Sequence, residues 1–549
     1  MADDDGDIGY SDGSEAYLLR FFEEHAVNEY ELFPKDAPWA VRYHLSPRRK
    51  TLLSWLDFGP GGGRILELGA GCGALTAHLA SLPHQVTAVE GAADRAAVIR
   101  ARLPNAENLE VVTANAVGLP YDGLFDVVTL VGVLEYAGAF VPGAQPYVRL
   151  LAEARRYLTD DGCLILAIEN RMGHKYLAGL PEDHTGRPFD GINGYPDRPG
   201  VRTFDRPTLD ALLKQAGFAA TRWFYPSPDY KMPDSIVAET ALSRQGFAVL
   251  PLLELPSATP DGRVCPNFGE RQFLRSALAG GVAGHFMNSF LVLAAPSPEA
   301  PLLAANDNVL AVAVNADSCP PLFQTMTRFE ERGEGGVAVV RRNLHHLPPA
   351  QFAAGRQHIK AVEPYHLGSV SFLEMALDAV EDGDPVGAAR LVTDWMELIA
   401  SRARPATVGG MAGFAAFCRD QLGAGIYDGH ANERWLPGSL LDAHPGNVLR
   451  HPATGDVRFI DLEWQLACDI PLQLLLDRGV NLVGQKLGAQ ARYLGLGESG
   501  GLPPAMERVL ARHPLSRRTD TTSLARFTHW LFAAVTNGSL DHRLPPASR

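Results

Sequence analysis

The most distinctive chemistry-bearing residues form a glycine loop with an acid in front of it. Glu67, Gly69, Gly71 and Gly73 follow a short apolar run and precede a helical pattern. Glycines there allow a tight turn and let a ligand lie close to the backbone amides. Glu90 ends the next apolar run, where a carboxylate can accept hydrogen bonds from both hydroxyls of a ribose. The pattern therefore predicts a site for a nucleotide-like ligand.

Two further strand patterns end in small or polar residues. Asn115 and Ala116 end the third strand pattern, and residues 132–136 end the fourth. The carboxyl ends of parallel strands meet at one edge of a sheet, so all four ends should surround the same ligand. The glycine spacing differs from the G-x-G-x-x-G pattern of dinucleotide-binding folds, which counts against NAD. A glycine turn that binds no ligand is the remaining alternative.

A second group of polar side chains, residues 169–184, follows the fifth strand pattern. A neutral imidazole or a carboxylate can accept the proton of an attacking hydroxyl. We predict His184, flanked by two acids, as this general base, with His174 and Glu169 as the reserves. Each could instead serve only to hold the backbone, and an amine or carboxylate substrate would need no strong base. The predicted substrate-binding residues are Glu135, Tyr136, Asn170, Lys175, Tyr176, Glu182 and Asp183.

The elements that must position these residues alternate between strands and helices. Apolar runs predict strands at 64–68, 85–90, 108–114, 126–133 and 163–169, with helices at 74–81, 91–102 and 146–158. This alternation is typical of a doubly wound parallel sheet. A helix at 207–216 and a strand at 219–226 should follow. Beyond residue 240 we expect strands at 289–295 and 308–315, a hairpin at 323–344, and mainly helix at 369–425.

Residues 40–240 resemble the class I S-adenosylmethionine-dependent methyltransferases, on the strength of the glycine loop and Glu90. The resemblance implies S-adenosylmethionine as cofactor, with its methionine part near Glu67, Gly69 and Gly71 and its ribose on Glu90. Asn115 would lie near the adenine amine, where the family often has Asp; an amide can also donate and accept hydrogen bonds. The other cofactor-binding positions that the resemblance implies are Ala70, Gly73, Gly91, Ala116, Gly132 and Leu134.

The polar loops 168–186, 189–195 and 225–233 are similar to those of methyltransferases from bacterial surface-polysaccharide gene clusters. The resemblance implies O-methylation of a glycan or glycan precursor. It also implies glycosyltransferases as partners. The alternatives are a small-molecule methyltransferase and a non-catalytic scaffold of glycan assembly.

A third motif lies near the C-terminus. Asp442 and Asn447 have a D-x-x-x-x-N spacing, and Asp461 ends a later strand pattern. The three positions are similar to those of protein kinases and aminoglycoside phosphotransferases, where the first Asp orients a hydroxyl and the other two residues hold magnesium. Arg341 or Arg342 stands where the phosphate-binding Lys is expected, and Leu441 precedes the first Asp. We therefore interpret this region as a degenerate kinase-like domain. An active kinase that uses ATP and Mg²⁺ and phosphorylates a sugar hydroxyl is the alternative.

Composition narrows the class of protein. The 549 residues are 46% hydrophobic, which indicates a folded chain. A net charge of −14 without a long basic run counts against a nucleic-acid partner. No apolar run approaches the length of a membrane span, and the acidic start has no apolar core of a secretory signal. The six cysteines, Cys72, Cys163, Cys265, Cys319, Cys418 and Cys468, contain no C-x-x-C pair and are predicted to be reduced thiols.

These observations together predict an α/β chain in which a Rossmann-like, doubly wound methyltransferase domain precedes an α+β kinase-like domain. The predicted boundaries are 1–39 for an acidic and helical extension, 40–240 for the methyltransferase domain, 241–300 for a connector and 301–549 for the kinase-like domain. We expect a cytoplasmic location, with peripheral association at the inner face of the membrane as a further expectation.

Overall fold

A computed structural model describes residues 11–24, 38–196, 200–257, 267–316, 323–345, 351–352, 355–405, 407–422, 434–490, 493–494, 501–516, 524–528 and 531. The chain divides into two units. The first unit takes in the described residues of Met1–Arg244, Val249–Asp317 and Met326–Ala338. The second unit takes in those of Gln245–Ala248, Ser318–Thr325 and Val339–Arg549.

The predicted parallel sheet forms the centre of the first unit. Its strands are β1 (Arg64–Leu68), β2 (Gln85–Glu90), β3 (Leu109–Thr113), β4 (Phe125–Val131) and β5 (Leu158–Glu169). They pair in parallel in the order β5-β4-β1-β2-β3. Strands buried on both faces need continuous apolar runs, which is why the pattern showed them so clearly. The Rossmann-like sheet is confirmed.

Four further strands continue this sheet beyond β5. They are β6 (Ala220–Ser227), β7 (Ser235–Ala238), β8 (Ser289–Ala295) and β9 (Val309–Asn315). β8 lies antiparallel between β5 and β6, and β7 pairs with both β6 and β9. Every residue of β8 is buried, so its unbroken apolar run requires a place inside a sheet.

The predicted connector 241–300 therefore supplies a central strand of the first unit instead of a linker. β9, expected in the kinase-like domain, also belongs to this sheet. β10 (Thr325–Arg332) lies next to β9, and the chain continues through a 3-10 turn at Gly333–Gly335 into β11 (Gly336–Asn343). The first strand of the predicted hairpin is thus part of the first unit from Met326 on.

The helices of the first unit cover the sheet and carry its loops. Asp205 caps the helix α8 (Arg206–Gln215) by accepting a hydrogen bond from the Thr208 amide at 2.9 Å. The helix α1 (Glu15–Glu24) packs on α4 (Ala93–Arg102) through a cluster of Leu18, Phe22 and Val98 that also holds Cys72, so the described part of the predicted extension belongs to this unit. The α-helices are α1 (Glu15–Glu24), α2 (Trp39–Leu45), α3 (Ala74–Ala80), α4 (Ala93–Arg102), α5 (Ala137–Phe140), α6 (Pro146–Tyr157), α7 (His174–Leu177), α8 (Arg206–Gln215), α9 (Leu250–Leu253), α10 (Glu270–Ala279), α11 (Ala283–Phe286) and α12 (Pro301–Ala305), and 3-10 helices span Pro47–Leu52, Leu134–Tyr136 and Glu239–Ser243.

The second unit is mainly helical with small antiparallel sheets. Its helices are α13 (Phe372–Glu381), α14 (Pro385–Arg402), α15 (Val408–Phe417), which a π-helical turn at Cys418–Leu422 continues, α16 (Leu472–Gln490) and α17 (Pro504–Arg512), with a 3-10 turn at Gly438–Leu440. Its short strands are β12 (Gln351–Phe352), β13 (Gly355–Gln357), β14 (Val362–Pro364), β15 (Val370–Ser371), β16 (Arg404–Pro405), β17 (Arg434–Leu436), β18 (Val448–Arg450), β19 (Val457–Phe459), β20 (Trp464–Leu466) and β21 (Ile470–Pro471). Three sheets form, in the orders β12-β13-β20, β15-β18-β19 and β16-β17-β21.

The described cysteines are free thiols. Cys72, Cys163 and Cys418 are buried and Cys468 is half-buried. Cys265 and Cys319 lie outside the described residues, as do residues 1–10 and 25–37 of the predicted extension. Among the described helices, none has the length and apolar character that a membrane span requires.

The second unit's core offers a stability test, because α16 crosses the buried Trp395 of α14 at Gly479. A Cβ at Gly479 would overlap the indole ring. We expect Gly479→Ala to destabilise this unit by about 1–3 kcal/mol, since overpacking outweighs the better helix propensity of Ala. Hydrogen exchange of peptides from α14 and α16 measures the effect.

Gly484→Ala in the same helix is the matched control. The nearest atom to its added Cβ lies 3.8 Å away, so the substitution should be neutral or stabilising. Equal exchange rates for the two variants would contradict this packing account.

Candidate active site

The glycine loop joins the carboxyl end of β1 to α3. Gly69 and Gly71 have φ angles of 72° and 59°, which favour glycine. A Cβ at Gly69 would collide with the Val133 side chain, so the backbone can pass close to the end of β4 only without one. The loop is therefore held at the edge of the sheet.

Glu90 at the end of β2 is fixed by two amides. Its Oε2 accepts a hydrogen bond from the Gly71 amide at 2.7 Å, and its Oε1 accepts one from the Ala92 amide at 2.9 Å. The carboxylate lines a cavity at this edge of the sheet. A carboxylate has about four acceptor positions, so capacity remains for ribose hydroxyls.

One cavity brings together ten of the 21 predicted catalytic, cofactor-binding and substrate-binding residues. From the prediction it brings together Gly69, Glu90, Gly91, Asn115, Ala116, Gly132, Glu135, Tyr136, Asp183 and His184. The predicted residues that do not line it are Glu67, Ala70, Gly71, Gly73, Leu134, Glu169, Asn170, His174, Lys175, Tyr176 and Glu182. The amide of Asn115 already serves the backbone, because it donates to the Phe140 carbonyl at 3.3 Å and accepts from the Val117 amide at 3.1 Å.

Glu67 links the strand before the glycine loop to the helix after it. Its side chain is buried and accepts a hydrogen bond from the Thr76 hydroxyl at 2.6 Å. Burial raises the pKa of Glu67 to about 7, although the bond from Thr76 opposes this. The residue thus fastens β1 to α3.

The acceptor side centres on His184. Its Nδ1 lies 2.9 Å from Glu182 Oε1, while its Nε2 lies 3.7 Å from Glu135 Oε1 and 3.9 Å from Glu169 Oε2. Burial alone lowers the pKa of His184, but the carboxylates of Glu169, Glu135 and Glu182 outweigh it and hold the pKa well above the ordinary value. A general base must start without the proton, so this arrangement does not favour the predicted role of His184. We call Glu135, Glu169 and His184 the acceptor cluster.

Two lysines border the acceptor cluster. Lys231 contacts Glu169 Oε1 and lies 2.6 Å from Asp183 Oδ2. Lys175 lies 3.0 Å from the same Asp183 oxygen and 3.7 Å from Asp229 Oδ2. Burial by itself raises the pKa of Asp183, but the two ammonium groups outweigh it and keep the pKa below its usual range.

His174 and Asn170 have structural positions. His174 Nδ1 lies 3.0 Å from the Phe286 carbonyl and Nε2 lies 3.1 Å from Glu270 Oε1, which places the ring against α10 and α11. Asn170 donates to the carbonyls of His285 and Met287 at 2.8 Å. The predicted reserve base His174 is therefore not in the cavity. Tyr176 is buried, and its ring packs under the Lys175 ammonium.

The start of the chain contributes to the site, which the sequence prediction missed. Asp12 Oδ2 lies 2.6 Å from Arg95 Nη2 and 2.9 Å from His44 Nε2, and Glu15 Oε1 lies 3.0 Å from Arg95 Nε. Two residues that pair across a long stretch of chain leave no periodic pattern in the sequence. The cavity-lining residues that were missed are Asp12, Trp39, Tyr43, His44, Val89, Arg95, Ala114, Val133, Ala137, Phe140, Val141, Leu150, Tyr230 and Lys231.

The second unit brings its four predicted residues together. Arg341 contacts Glu363, and its guanidinium lies 3.3 Å from Asp461 Oδ1 and 3.7 Å from Glu463 Oε1. Asn447 donates to the Asp461 carbonyl at 3.2 Å. Asp461 adopts a left-handed φ of 54°, which is strained for a non-glycine residue.

Asp442 is buried beside this group. Its Oδ2 accepts a hydrogen bond from the Trp464 amide at 3.0 Å, and its Oδ1 lies 3.7 Å from Arg478 Nη2. Burial raises the pKa of Asp442 to about 6, and Arg478 opposes that shift. The positions of these residues fit the predicted kinase-like pattern. The Asp461 carboxylate, however, pairs with the Arg341 guanidinium of the same chain.

Comparison with known proteins identifies the class of the first unit. Residues 66–166 match the family model described as "Methyltransferase domain". No curated protein matches the chain. The chain therefore carries a methyltransferase domain, and the predicted enzyme class is confirmed. The positive-φ glycine turn and the amide-held Glu90 fit S-adenosylmethionine as a methyl donor.

Two solved structures illustrate the similarity. A possible histamine N-methyltransferase from Thermotoga maritima is 18% identical with a TM-score of 0.28, over 51% of this chain and 100% of the other. Phosphoethanolamine N-methyltransferase 2 of Haemonchus contortus, solved with S-adenosylhomocysteine, is 14% identical with a TM-score of 0.28, over 46% of this chain. This match covers 52% of the Haemonchus chain, which is about half of its length.

Glu67 provides a test by pH. The unfolded carboxyl ionises near 4.5 and the folded one near 7, so the folded state keeps a proton that the unfolded state has lost in between. Stability should fall as pH rises through this window, by up to about 3 kcal/mol. Glu67→Gln keeps an acceptor for Thr76 and removes this pH dependence. The melting temperature of the variant minus that of the wild type should therefore increase from pH 5 to pH 8.

Glu110→Gln, at an exposed position of β3, is the control and should follow the wild-type pH profile. Parallel curves of melting temperature against pH for Glu67→Gln and the wild type would contradict this prediction. They would show that Glu67 has the same pKa in the folded and unfolded states.

Proposed function

We propose that the first unit transfers the methyl group of S-adenosylmethionine to a hydroxyl of a glycan or glycan precursor. One observation carries this proposal: the same cavity is lined by Glu90 and Gly69 of the glycine turn and also by Glu135 and His184. Donor and acceptor would thus meet within one cavity, which is the main requirement of an in-line displacement.

The reaction needs few protein groups. The acceptor oxygen attacks the methyl carbon, and the bond from carbon to sulfur breaks with its electron pair going to sulfur, which leaves S-adenosylhomocysteine. The proton of the hydroxyl passes to a group of the acceptor cluster. The chain supplies orientation, and the ion-paired Asp12 and Arg95 are part of the cavity lining.

The acceptor side suits a polyhydroxylated molecule. Asp183, His184 and Lys231 offer charged hydrogen-bonding groups, and the aromatic rings of Tyr136 and Tyr230 stand beside them. Polar groups fix the orientation of a ligand, while rings provide apolar area for the C–H face of a sugar. A small-molecule acceptor is the alternative, and glycosyltransferases in the cytoplasm or at the inner membrane face are the proposed partners.

Donor binding tests the cofactor side. Glu90→Ala removes the carboxylate proposed to hold the ribose hydroxyls and should weaken binding of S-adenosylmethionine at least about tenfold, since hydrogen bonds to a charged group contribute about 1.5–3 kcal/mol. Isothermal titration calorimetry of the intact chain measures the loss. Glu110→Ala, on the same sheet, serves as control, and unchanged affinity in Glu90→Ala would contradict the assignment.

Acceptor class is tested with tritiated S-adenosylmethionine. The intact protein is incubated with glycan and small-molecule fractions of a bacterial lysate, and we expect label as an O-methyl ether in the glycan fraction. Label confined to small molecules would favour the alternative.

For the second unit we propose a kinase-like domain without phosphotransfer activity. The support is the ion pair between Arg341 and Asp461. The Arg341 guanidinium engages the carboxylate that would have to bind magnesium. A scaffold role in glycan assembly fits such a unit.

This proposal predicts no Mg²⁺-dependent ATP consumption by the intact chain, measured by phosphate release. Consumption that is abolished in Asp461→Ala would overturn it and favour a bifunctional methyltransferase–kinase.

A further inference from the structure

The acceptor cluster has the composition and spacing of a metal site. One ligand atom each from Glu135, Glu169 and His184 lies within 4.8 Å of the others. Metal–ligand bonds to oxygen and nitrogen are about 2.0–2.2 Å, so two ligands of one ion stand at most about 4 Å apart. The distances from His184 Nε2 to the two carboxylates, 3.7 and 3.9 Å, are in that range.

Independent evidence comes from unsatisfied oxygens. Oε2 of Glu135 and Oε2 of Glu169 are buried and have no hydrogen-bond partner. Their side chains are 1% and 0% exposed. An unpaired buried carboxylate oxygen is costly, and a bound cation would remove that cost.

The surroundings of His184 also fit metal ligation. Its Nδ1 is held by Glu182, whose carboxylate in turn accepts hydrogen bonds from the Thr185 amide at 2.8 Å and the Tyr195 hydroxyl at 3.2 Å. Metal-binding histidines generally have their second nitrogen held in this way, which directs the first nitrogen at the ion. Here Nε2 is the nitrogen that faces Glu135 and Glu169, and a cation that binds there displaces its proton.

The local charge leaves room for a cation. The carboxylates of Glu135, Glu169, Glu182, Asp183 and Asp229 gather here with the ammonium groups of Lys175 and Lys231. Lys231 contacts Oε1 of Glu169 and Lys175 contacts Asp183, so neither lysine reaches Oε2 of Glu169 or of Glu135 within hydrogen-bond distance.

We propose that Glu135, Glu169 and His184 bind a first-row divalent cation, such as Mn²⁺ or Zn²⁺, at the acceptor end of the cavity. Two carboxylates and one imidazole are a mixed oxygen and nitrogen set, which suits these ions. Three protein ligands leave coordination positions open, and Glu135 and His184 both line the cavity. A hydroxyl of the acceptor could fill an open position, where the cation would lower the pKa of that hydroxyl and its proton would pass to solvent water. This last role rests on the proposed function; the binding of the ion does not.

The test measures metal binding directly. The intact chain is stripped with EDTA and titrated with Mn²⁺ or Zn²⁺ by calorimetry, with bound Mn²⁺ also followed by electron paramagnetic resonance. We expect saturable binding of one ion per chain, with an affinity tighter than about 0.1 mM. Glu135→Gln and His184→Asn should each weaken it at least about tenfold. No saturable binding below about 1 mM, or equal binding by the variants, would overturn the proposal.

Two controls keep the result interpretable. Glu110→Gln should bind the ion as the wild type does, and Glu135→Gln should still bind S-adenosylmethionine, which shows that the variant is folded. Thermal melting gives a second readout, because a bound ion raises the melting temperature of the wild type and not that of Glu135→Gln. Ion binding without methylation of any glycan would contradict the proposed function alone and would support the metal site.

Discussion

The first unit depends on one constraint, the burial of negative charge where β4 and β5 end. Glu169 is fully buried and Glu135 nearly so, and burial raises the pKa of Glu135. Charges in a medium of low dielectric constant must be offset by cations or fixed hydrogen bonds. The loop that carries His184 and the loop that carries Lys231 meet here for this reason, so the charges that hold these loops together are also those of the acceptor cluster and its neighbours.

The antiparallel strand β8 makes this meeting possible. Its first residue, Ser289, pairs with Glu169, and the Ser289 hydroxyl accepts a hydrogen bond from the Tyr230 amide at 2.8 Å. The neighbouring Lys231 is thereby placed against Glu169. The strand β8, which is distant in sequence, thus determines the position of the Lys231 ammonium group. Through that ammonium group it also affects the geometry of the acceptor cluster.

The sequence predicted the parts of this arrangement that repeat locally. β1 and β2 have the predicted bounds, and β3, β4 and β5 differ only at their ends. The inner strands β1, β2, β4 and β5 are mostly buried and need near-continuous apolar runs, whereas β3 is a half-exposed edge strand. Glu90 was found because it ends such a run, and His184 because it lies in the polar loop after β5 next to two acids. Lys231, Asp12 and Arg95 were missed, since their roles arise from ion pairs across long stretches of chain. The place of β8 was missed for the same reason: an apolar run predicts a strand but not its neighbours.

The central claim is that one cavity holds the donor at Glu90 and a cation at the acceptor cluster. A crystal structure of the intact chain with S-adenosylhomocysteine and Mn²⁺ tests it most directly. The account predicts ribose hydroxyls on Glu90 and an anomalous peak among Glu135, Glu169 and His184. A donor product bound elsewhere, or a cluster without the peak at saturating Mn²⁺, would contradict it.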